Sequence, residues 1–322
     1  MEQRRVGGSG LTVSELGLGT MTWGQGTDPD QAAATLIAFR AAGGTFLDTA
    51  ASYGLGHTET IIGALLADVM PRDELIISTK AGITRTDDER FVDASRGALL
   101  RQLDSSLTKL GVDYVDLWQV HTVDPSVPTD ETLGALDMAV ASGKARYVGV
   151  SNYPGWRLAQ AATLQRAIPG RAPIVANQVE YSLLERGVER EVVPACAEFG
   201  IGLFPYSPLG GGVLTGKYRG GVPADSRAVR LGRTISDYTD QRQAGIVQAV
   251  ATAADGLAVA PLAVALAWLR RRPAVSSVIV GPRTEAQLSS ALGSLAVELP
   301  NAIRDALDEV SAPQTGYPEN VS

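Results

Sequence analysis

The sequence predicts an α/β fold: one closed (β/α)8 barrel of the TIM type, with an N-terminal β-hairpin and an extra C-terminal helix. Three observations predict it. Eight short runs of β-branched or aliphatic residues alternate with longer segments of helical period. Most of the runs are continuously apolar, the pattern of parallel strands covered on both faces. The length, 322 residues, is ordinary for a barrel of this kind, so residues 1–322 are assigned to a single domain.

The elements follow in order. A hairpin is expected over Arg5–Val13, where Gly7-Gly8-Ser9-Gly10 separates two short apolar ends, and it would close the bottom of the barrel. The strands are expected at Leu16–Leu18, Thr45–Leu47, Leu75–Thr79, Tyr114–Val120, Ala145–Val150, Ile174–Gln178, Ile201–Phe204 and Val275–Val280. The first helix, Gln31–Ala42, is entered through Pro29-Asp30 and stopped by Gly43-Gly44. Helical periods recur at Thr58–Leu66, Ser95–Leu110, Asp130–Ala141, Trp156–Arg166, Val188–Phe199 and Glu285–Leu292. In Ser95–Leu110 the residues Leu99, Leu100, Leu103, Leu107 and Leu110 recur at intervals of three and four, giving one buried face. The extra helix is Asn301–Val310, followed by a polar tail with Pro313 and Pro318. A glycine-rich, charged segment from Gly210 to about Asp237 follows the seventh strand and is expected to fold over the top of the barrel. A doubly wound open sheet is the competing topology. The first junction, Gly17-Leu-Gly19-Thr-Met-Thr-Trp23, argues against it, because it lacks the third glycine of a dinucleotide fingerprint and no helix opens at once.

Composition narrows the function. A net charge of −7 without a basic run argues against a nucleic-acid or anionic-membrane partner. The single cysteine, Cys196, cannot form an internal disulfide and suits a reducing compartment; it lies in a helical pattern and reads as a buried structural thiol. Arg4 and Arg5 have no apolar segment after them, so no signal peptide is expected. The most apolar stretch, Leu257–Leu269, contains Pro261 and falls short of the ~20 residues a bilayer span needs. A cytoplasmic location is expected.

The chemistry gathers at three strand ends. Asp48 ends the second strand, Lys80 the third and His121 the fourth, and Tyr53 stands in the loop after Asp48. The chain has two histidines and four lysines, and one of each ends one of these strands. Such ends build the active face of a (β/α)8 barrel, and neighbouring strands are ~4.8 Å apart. A phenol with an ordinary pKa of ~10 is a poor acid near neutrality. A lysine ammonium beside it favours the phenolate, and a carboxylate holds that lysine charged. Tyr53 is therefore read as a general acid tuned by Lys80, which Asp48 holds; His121 would orient the substrate oxygen, a carbonyl becoming an alkoxide. Other chemistries lack their residues. Two histidines leave no His-based metal set, so no metal is expected. There is no Gly-x-Ser-x-Gly elbow and no Gly-Lys-Ser/Thr loop.

Together, Thr45-Phe-Leu-Asp-Thr-Ala-Ala-Ser-Tyr-Gly54, Ser78-Thr-Lys80, Gln119-Val-His121 and Gly149-Val-Ser-Asn152 resemble the aldo-keto reductases, over about Arg5 to Leu292. The resemblance implies a barrel that binds NADP(H) and reduces an aldehyde or ketone by hydride transfer, with Asp48, Tyr53, Lys80 and His121 as the catalytic tetrad. It places Gly19, Thr20 and Met21 in the first cofactor loop. Ser151, Asn152 and Gln178 fall on the nicotinamide carboxamide, beside Asp48, and Tyr206 on the nicotinamide ring. Ser207, Leu209 and Gly211 fall along the pyrophosphate. In Val278-Ile-Val-Gly-Pro-Arg-Thr-Glu-Ala-Gln-Leu288, it places Gly281, Arg283 and Gln287 at the adenosine phosphate, with Arg283 and Gln287 on the 2′-phosphate. The chain departs from the commoner pattern with Ser290-Ala291 against the adenine and with Gln287 where several branches carry a basic residue. The run Gly212-Val-Leu-Thr-Gly-Lys-Tyr218 resembles the branch of bacterial general reductases and potassium-channel β-subunits. A slow-turnover regulatory subunit is thus a second reading, and a lyase or isomerase with Lys80 as Schiff-base amine a third. The substrate rim is expected from Trp23, Tyr53 and His121, with Trp118, Tyr153 and the neighbourhood of Tyr218 and Tyr238 as further candidates. The substrate is a small-molecule carbonyl, and a monomer is the default.

Overall fold

All eight expected runs contribute to one parallel sheet. The computed structural model describes residues 1–85, 89–217, 241–314 and 316. In chain order the barrel strands are β3 (Leu16–Gly19), β4 (Phe46–Asp48), β5 (Ile76–Ala81), β8 (Val115–Val120), β9 (Ala145–Ser151), β10 (Ile174–Glu180), β11 (Gly202–Tyr206) and β12 (Val278–Val280). Neighbours in sequence are neighbours in space, and β12 returns to pair with β3 through Val278↔Leu16 and Val280↔Leu18. The remaining seam, between β11 and β12, is nearly closed: Leu203 bridges Val275, and Ser276 N–H donates to Leu203 O at 3.0 Å. The eighth strand is shorter than expected. Val275 still belongs to a turn, its N–H donating to Arg272 O past Ala274 at φ 62, so the ladder with β3 begins only at Val278.

The two faces of the strands pack differently. Alternation turns Phe46, Leu117, Phe204 and Ile279 to one side, where they form one apolar cluster with Val6, Leu11 and Val13. These last three flank or lie on the hairpin β1 (Gln3–Arg5) and β2 (Thr12–Ser14), which closes the barrel floor. Gly8 N–H donates to Gly200 O at 2.8 Å. Gly7, at φ +54, lies so close to Gly200 that a Cβ would stand 2.1 Å from its carbonyl oxygen. On β3, a Cβ at Gly17 would meet Ile279 and Phe46 at 2.7 Å, so this strand leaves room for its neighbours' side chains.

The opposite faces meet the helices in a larger cluster. Six helices follow the expected periods: α1 (Pro29–Ala41), α2 (His57–Asp68), α3 (Arg96–Leu110), α4 (Thr129–Ala141), α5 (Gly155–Ala167) and α6 (Val188–Glu198). At α1 the N-cap is Asp28, whose carboxylate accepts from Gln31 N–H at 2.9 Å; Pro29 is the first helical residue. Ser95 caps α3, and Gly111 at φ 65 ends it. Cys196 is buried in α6, and burial pushes its thiol up to about 12.

Three elements were not anticipated: a side hairpin, β6 (Ile83–Arg85) with β7 (Arg90–Val92), and two helices before the last strand, α7 (Gln241–Leu257) and α8 (Pro261–Arg270). The apolar stretch around Pro261 is this helix pair. No described helix is long and apolar enough to cross a membrane; α7 and α8 pass such a test only jointly, across a bend of 100°. The final helices are α9 (Glu285–Gly293) and α10 (Asn301–Val310). α10 is docked by Asp308, which accepts from Trp268 Nε1 at 2.8 Å and from Arg272 Nη1 at 2.9 Å. Of the long segment after β11, Gly210–Thr215 forms tight 3-10 turns, while residues 218–240, with Tyr218 and Tyr238, lie outside the described residues, as does Pro318.

Candidate active site

Strand register brings the predicted ends together. Asp48 is the last residue of β4 and Lys80 the penultimate residue of β5. Lys80 Nζ donates to Asp48 Oδ1 at 2.8 Å, to Oδ2 at 2.9 Å and to Thr49 O at 2.6 Å. Both side chains are buried. Burial alone would lower the lysine pKa; the Asp48 carboxylate and then Tyr53 outweigh it, so the ammonium stands raised. Gln178 Nε2, from β10, donates to Asp48 Oδ1 at 2.9 Å and completes the carboxylate's shell. One layer lower, Gln119 Nε2 donates to Ser78 Oγ at 2.9 Å across β8 and β5.

Tyr53 opens a tight turn in which Gly54 and Leu55 both have φ near +55. The turn is pinned by Thr58, whose hydroxyl donates to Trp23 O at 2.9 Å. Lys80 Nζ stands 5.2 Å from the Tyr53 ring centroid, and the ring meets His121 edge-on at 6.0 Å between centroids. His121 is placed by its backbone N–H, which donates to Ala81 O at 2.8 Å, and by Asn152 Nδ2, which donates to His121 O at 3.0 Å. Its imidazole is pushed down to about 3, first by burial and then by the positive charges of Lys80, Arg90 and Arg85. The ring is therefore neutral near neutral pH, and among the described residues its Nδ1 has no hydrogen-bond partner.

The tetrad is thus one connected cluster, and a polar shelf continues from it. Ser151 Oγ donates to Gln178 O at 2.9 Å. Asn152, at φ 58, donates to Ser151 Oγ and accepts from Tyr206 Oη at 2.9 Å. Beyond Tyr206 the backbone is left-handed at Ser207 (φ 51), Gly210, Gly211 and Gly212. A Cβ at Gly211 would meet open space, so conformation rather than crowding calls for glycine there. Leu209 packs on the core beside this turn. On the other side, Thr20 N–H and Oγ1 both donate to Asp48 O, Gly19 lies against Ile279, and Met21 is exposed.

The last predicted group sits at the start of α9. Thr284 caps the helix by accepting from Gln287 N–H, and Gln287 Oε1 accepts from Arg283 N–H at 2.9 Å. Among the described residues the Arg283 guanidinium has no ion pair. Gly281 precedes it on the exposed surface. Amide and hydroxyl groups, a left-handed glycine turn, and an unpaired guanidinium at a helix N-terminus form a donor set that fits a phosphate-bearing dinucleotide.

A sequence model described as the aldo/keto reductase family matches residues 15–312. This chain belongs to the aldo/keto reductase family. Its relatives include an uncharacterized oxidoreductase of Bacillus subtilis strain 168, 35% identical over 321 residues, covering 96% of each chain. A probable voltage-gated potassium channel subunit beta of Oryza sativa subsp. japonica is 34% identical over 324 residues, covering 97% of this chain and 96% of the relative. An L-glyceraldehyde 3-phosphate reductase of Escherichia coli strain K12 is 34% identical over 305 residues, covering 92% of this chain and 88% of the relative. As a family member, the protein is an oxidoreductase.

In this reductase three aromatic rim candidates lie in the interior. Trp23, expected as an open wall of the substrate pocket, is fully buried in the main core, because Thr58 draws its backbone onto α2. Trp118 alternates with Leu117 and Gln119 and lies in the layer between strands and helices. Tyr153 is likewise largely buried, its carbonyl accepting from Asn177 Nδ2. A Schiff-base role for Lys80 needs a free amine, whereas this ammonium is raised and held by three oxygens. One ionisable group near the tetrad escaped the sequence reading: Glu59, fully buried on α2. The signal was available, since Glu59 stands three residues before Ile62 and so shares its inward helix face.

Proposed function

We propose that this reductase converts small aldehydes or ketones to alcohols with NADP(H) as cofactor, using Tyr53 as the general acid. The observation that carries the reading is the contrast in protonation around one opening. Lys80 is held as an ammonium, His121 is held neutral down to about pH 3, and the Tyr53 phenol stands between them. A histidine that has already lost its extra proton cannot supply one near neutrality, and a lysine locked by a carboxylate keeps its own. The phenol is the remaining donor.

Bound along the shelf, the cofactor would supply a hydride to the carbonyl carbon. Ser151, Asn152 and Gln178 would hold its carboxamide, Tyr206 its ring, the turn from Ser207 to Gly211 its pyrophosphate, and Arg283 its 2′-phosphate. Tyr53 gives its proton to the carbonyl oxygen. Lys80 stabilises the resulting phenolate, and Asp48 keeps Lys80 charged and aimed. His121 donates one ring N–H to the same oxygen and fixes its direction. The residues need no rearrangement of charge beyond the one proton, which is the value of a preset electrostatic site.

The test is nicotinamide oxidation with a panel of aromatic aldehydes, dicarbonyls and L-glyceraldehyde 3-phosphate, the last suggested by the name of the Escherichia coli relative. NADPH and NADH are run in parallel. Turnover that prefers NADPH is the expected result. Tight NADPH binding without turnover across the panel would favour the regulatory reading, and absence of both binding and turnover would overturn the proposal. The working unit is proposed to be a cytoplasmic monomer, which light scattering and cell fractionation check.

A further inference from the structure

Glu59 is buried to the last atom, beside a site that has no stated use for it. Its Oε1 accepts from the Thr79 hydroxyl at 2.7 Å. Thr79 immediately precedes Lys80 on β5, and its side chain leaves the opposite face of the strand, toward the helices. Glu59 itself lies in the first turn of α2, the helix that starts directly after the Tyr53 turn. This hydrogen bond therefore ties α2, the helix that continues from the Tyr53 turn, to the strand that carries the ammonium, adding a side-chain link to the backbone one from Ala51 N–H to Lys80 O at 3.0 Å.

The surroundings make this carboxyl costly to keep. Burial pushes its pKa up, against the Thr79 hydrogen bond, the nearby Ser106 hydroxyl and the charges of Lys109 and Lys80. Ser106 stands near without closing a hydrogen bond, and among the described residues Glu59 Oε2 has no partner. A carboxyl with one unsatisfied oxygen in a dry layer detracts from stability. An apolar residue would pack there at lower cost, so a role in fold stability does not account for it.

We propose that Glu59 is a positioning residue for the reduction, acting through Thr79 to set the distance and angle between Lys80 and Tyr53. The inference rests on the reading of Tyr53 as acid, but its decisive readout does not. The chain has four lysines, so ¹⁵N spectra of the lysine ammonium groups hold few signals, and Lys80→Met assigns the one that matters. Thr79→Val keeps the shape of the side chain and removes the donor. Glu59→Gln keeps an acceptor for Thr79 and removes the charge, while Glu59→Leu removes both.

Thr79→Val and Glu59→Leu are expected to move the Lys80 signal and to lower kcat about tenfold, with KM for the carbonyl and the dissociation constant for NADPH little changed. Glu59→Gln is expected to restore the Lys80 signal and most of kcat. If Glu59→Leu fails to fold, Thr79→Val carries the test. An unmoved Lys80 signal in Thr79→Val would overturn the proposal, as would a loss confined to thermal stability with kcat intact. If the unaltered protein reduces no carbonyl at all, the functional reading fails, and the Lys80 signal still decides whether the tie exists.

Discussion

At the strand-end cluster every buried charge already has its partner, with Lys80 on Asp48 and Thr49 and Asp48 further satisfied by Gln178. At the start of α9 the Arg283 guanidinium has no ion pair among the described residues, and the nearby Gln287 oxygen is turned back onto the loop's own N–H. The difference follows from water. A charge sealed in the barrel must be compensated by the fold itself, whereas a charge at the rim is solvated and can wait for a ligand. Changes at the first site should therefore disturb stability and chemistry together, and changes at the second should disturb affinity alone.

Lys80→Met puts the most weight on that contrast. It leaves the Asp48 carboxylate buried without its counter-ion, so a loss of about 3–5 kcal/mol in urea unfolding is expected together with loss of turnover. A variant of undiminished stability would show that the pair is not coupled to the fold. Tyr53→Phe separates the two effects within the same cluster. Turnover is expected to fall by ~10²–10⁴, with unfolding midpoint and NADPH affinity nearly unchanged; retained turnover would remove Tyr53 as the acid. Arg283→Ala, at the open end, is expected to weaken NADPH binding about tenfold or more by fluorescence titration and to leave NADH and the melting temperature alone. Equal effects on the two nucleotides would detach Arg283 from the 2′-phosphate.

His121→Asn gives an effect confined to the acid range and the finest test. The folded pKa of His121 is depressed from 6.5 to about 3, so between those values the unfolded chain binds a proton that the folded one does not. This contribution to stability is complete above the unfolded value and is lost as pH falls toward about 3. The asparagine variant, with nothing to titrate, should show a shallower acid limb in unfolding measured over that window. An identical limb would mean that His121 is not held neutral by the fold.

The cluster could be read in the sequence because its lysine and histidine are rare in this chain and its residues are fixed in place: an Asp, a Lys and a His, each closing or following an apolar run. The floor hairpin and the β/α alternation were legible for the same reason, since their glycines and apolar residues recur at fixed steps. Other parts left weaker traces. β6 and β7 have three residues each, too few for alternation to register. α7 buries only a narrow stripe of Ile246, Val250, Ala251 and Ala254, and α8 is apolar on all sides, so that no single face stands out; every residue from Ala263 to Arg270 is buried. Trp23 could not be placed because its position is tied to Thr58, a contact between the first loop and α2. Gln178 was assigned by resemblance to a ligand contact, and the fold also gives it an internal one on Asp48.

The floor of the barrel sets a constraint on how the chain comes together in time. The hairpin and β3 leave the ribosome well before their distant partners, since Gly8 waits for Gly200, and Leu16 waits for Val278. Until those late residues arrive, Val6, Leu11 and Val13 have no complete surface to cover, and β3 has an open edge. Pairings this distant along the chain are slow to form and leave apolar surface exposed meanwhile. A nascent chain halted before β12 would thus keep one edge of β3 open and leave the hairpin's apolar cluster without Ile279, so the floor would be completed only after the last strand has formed.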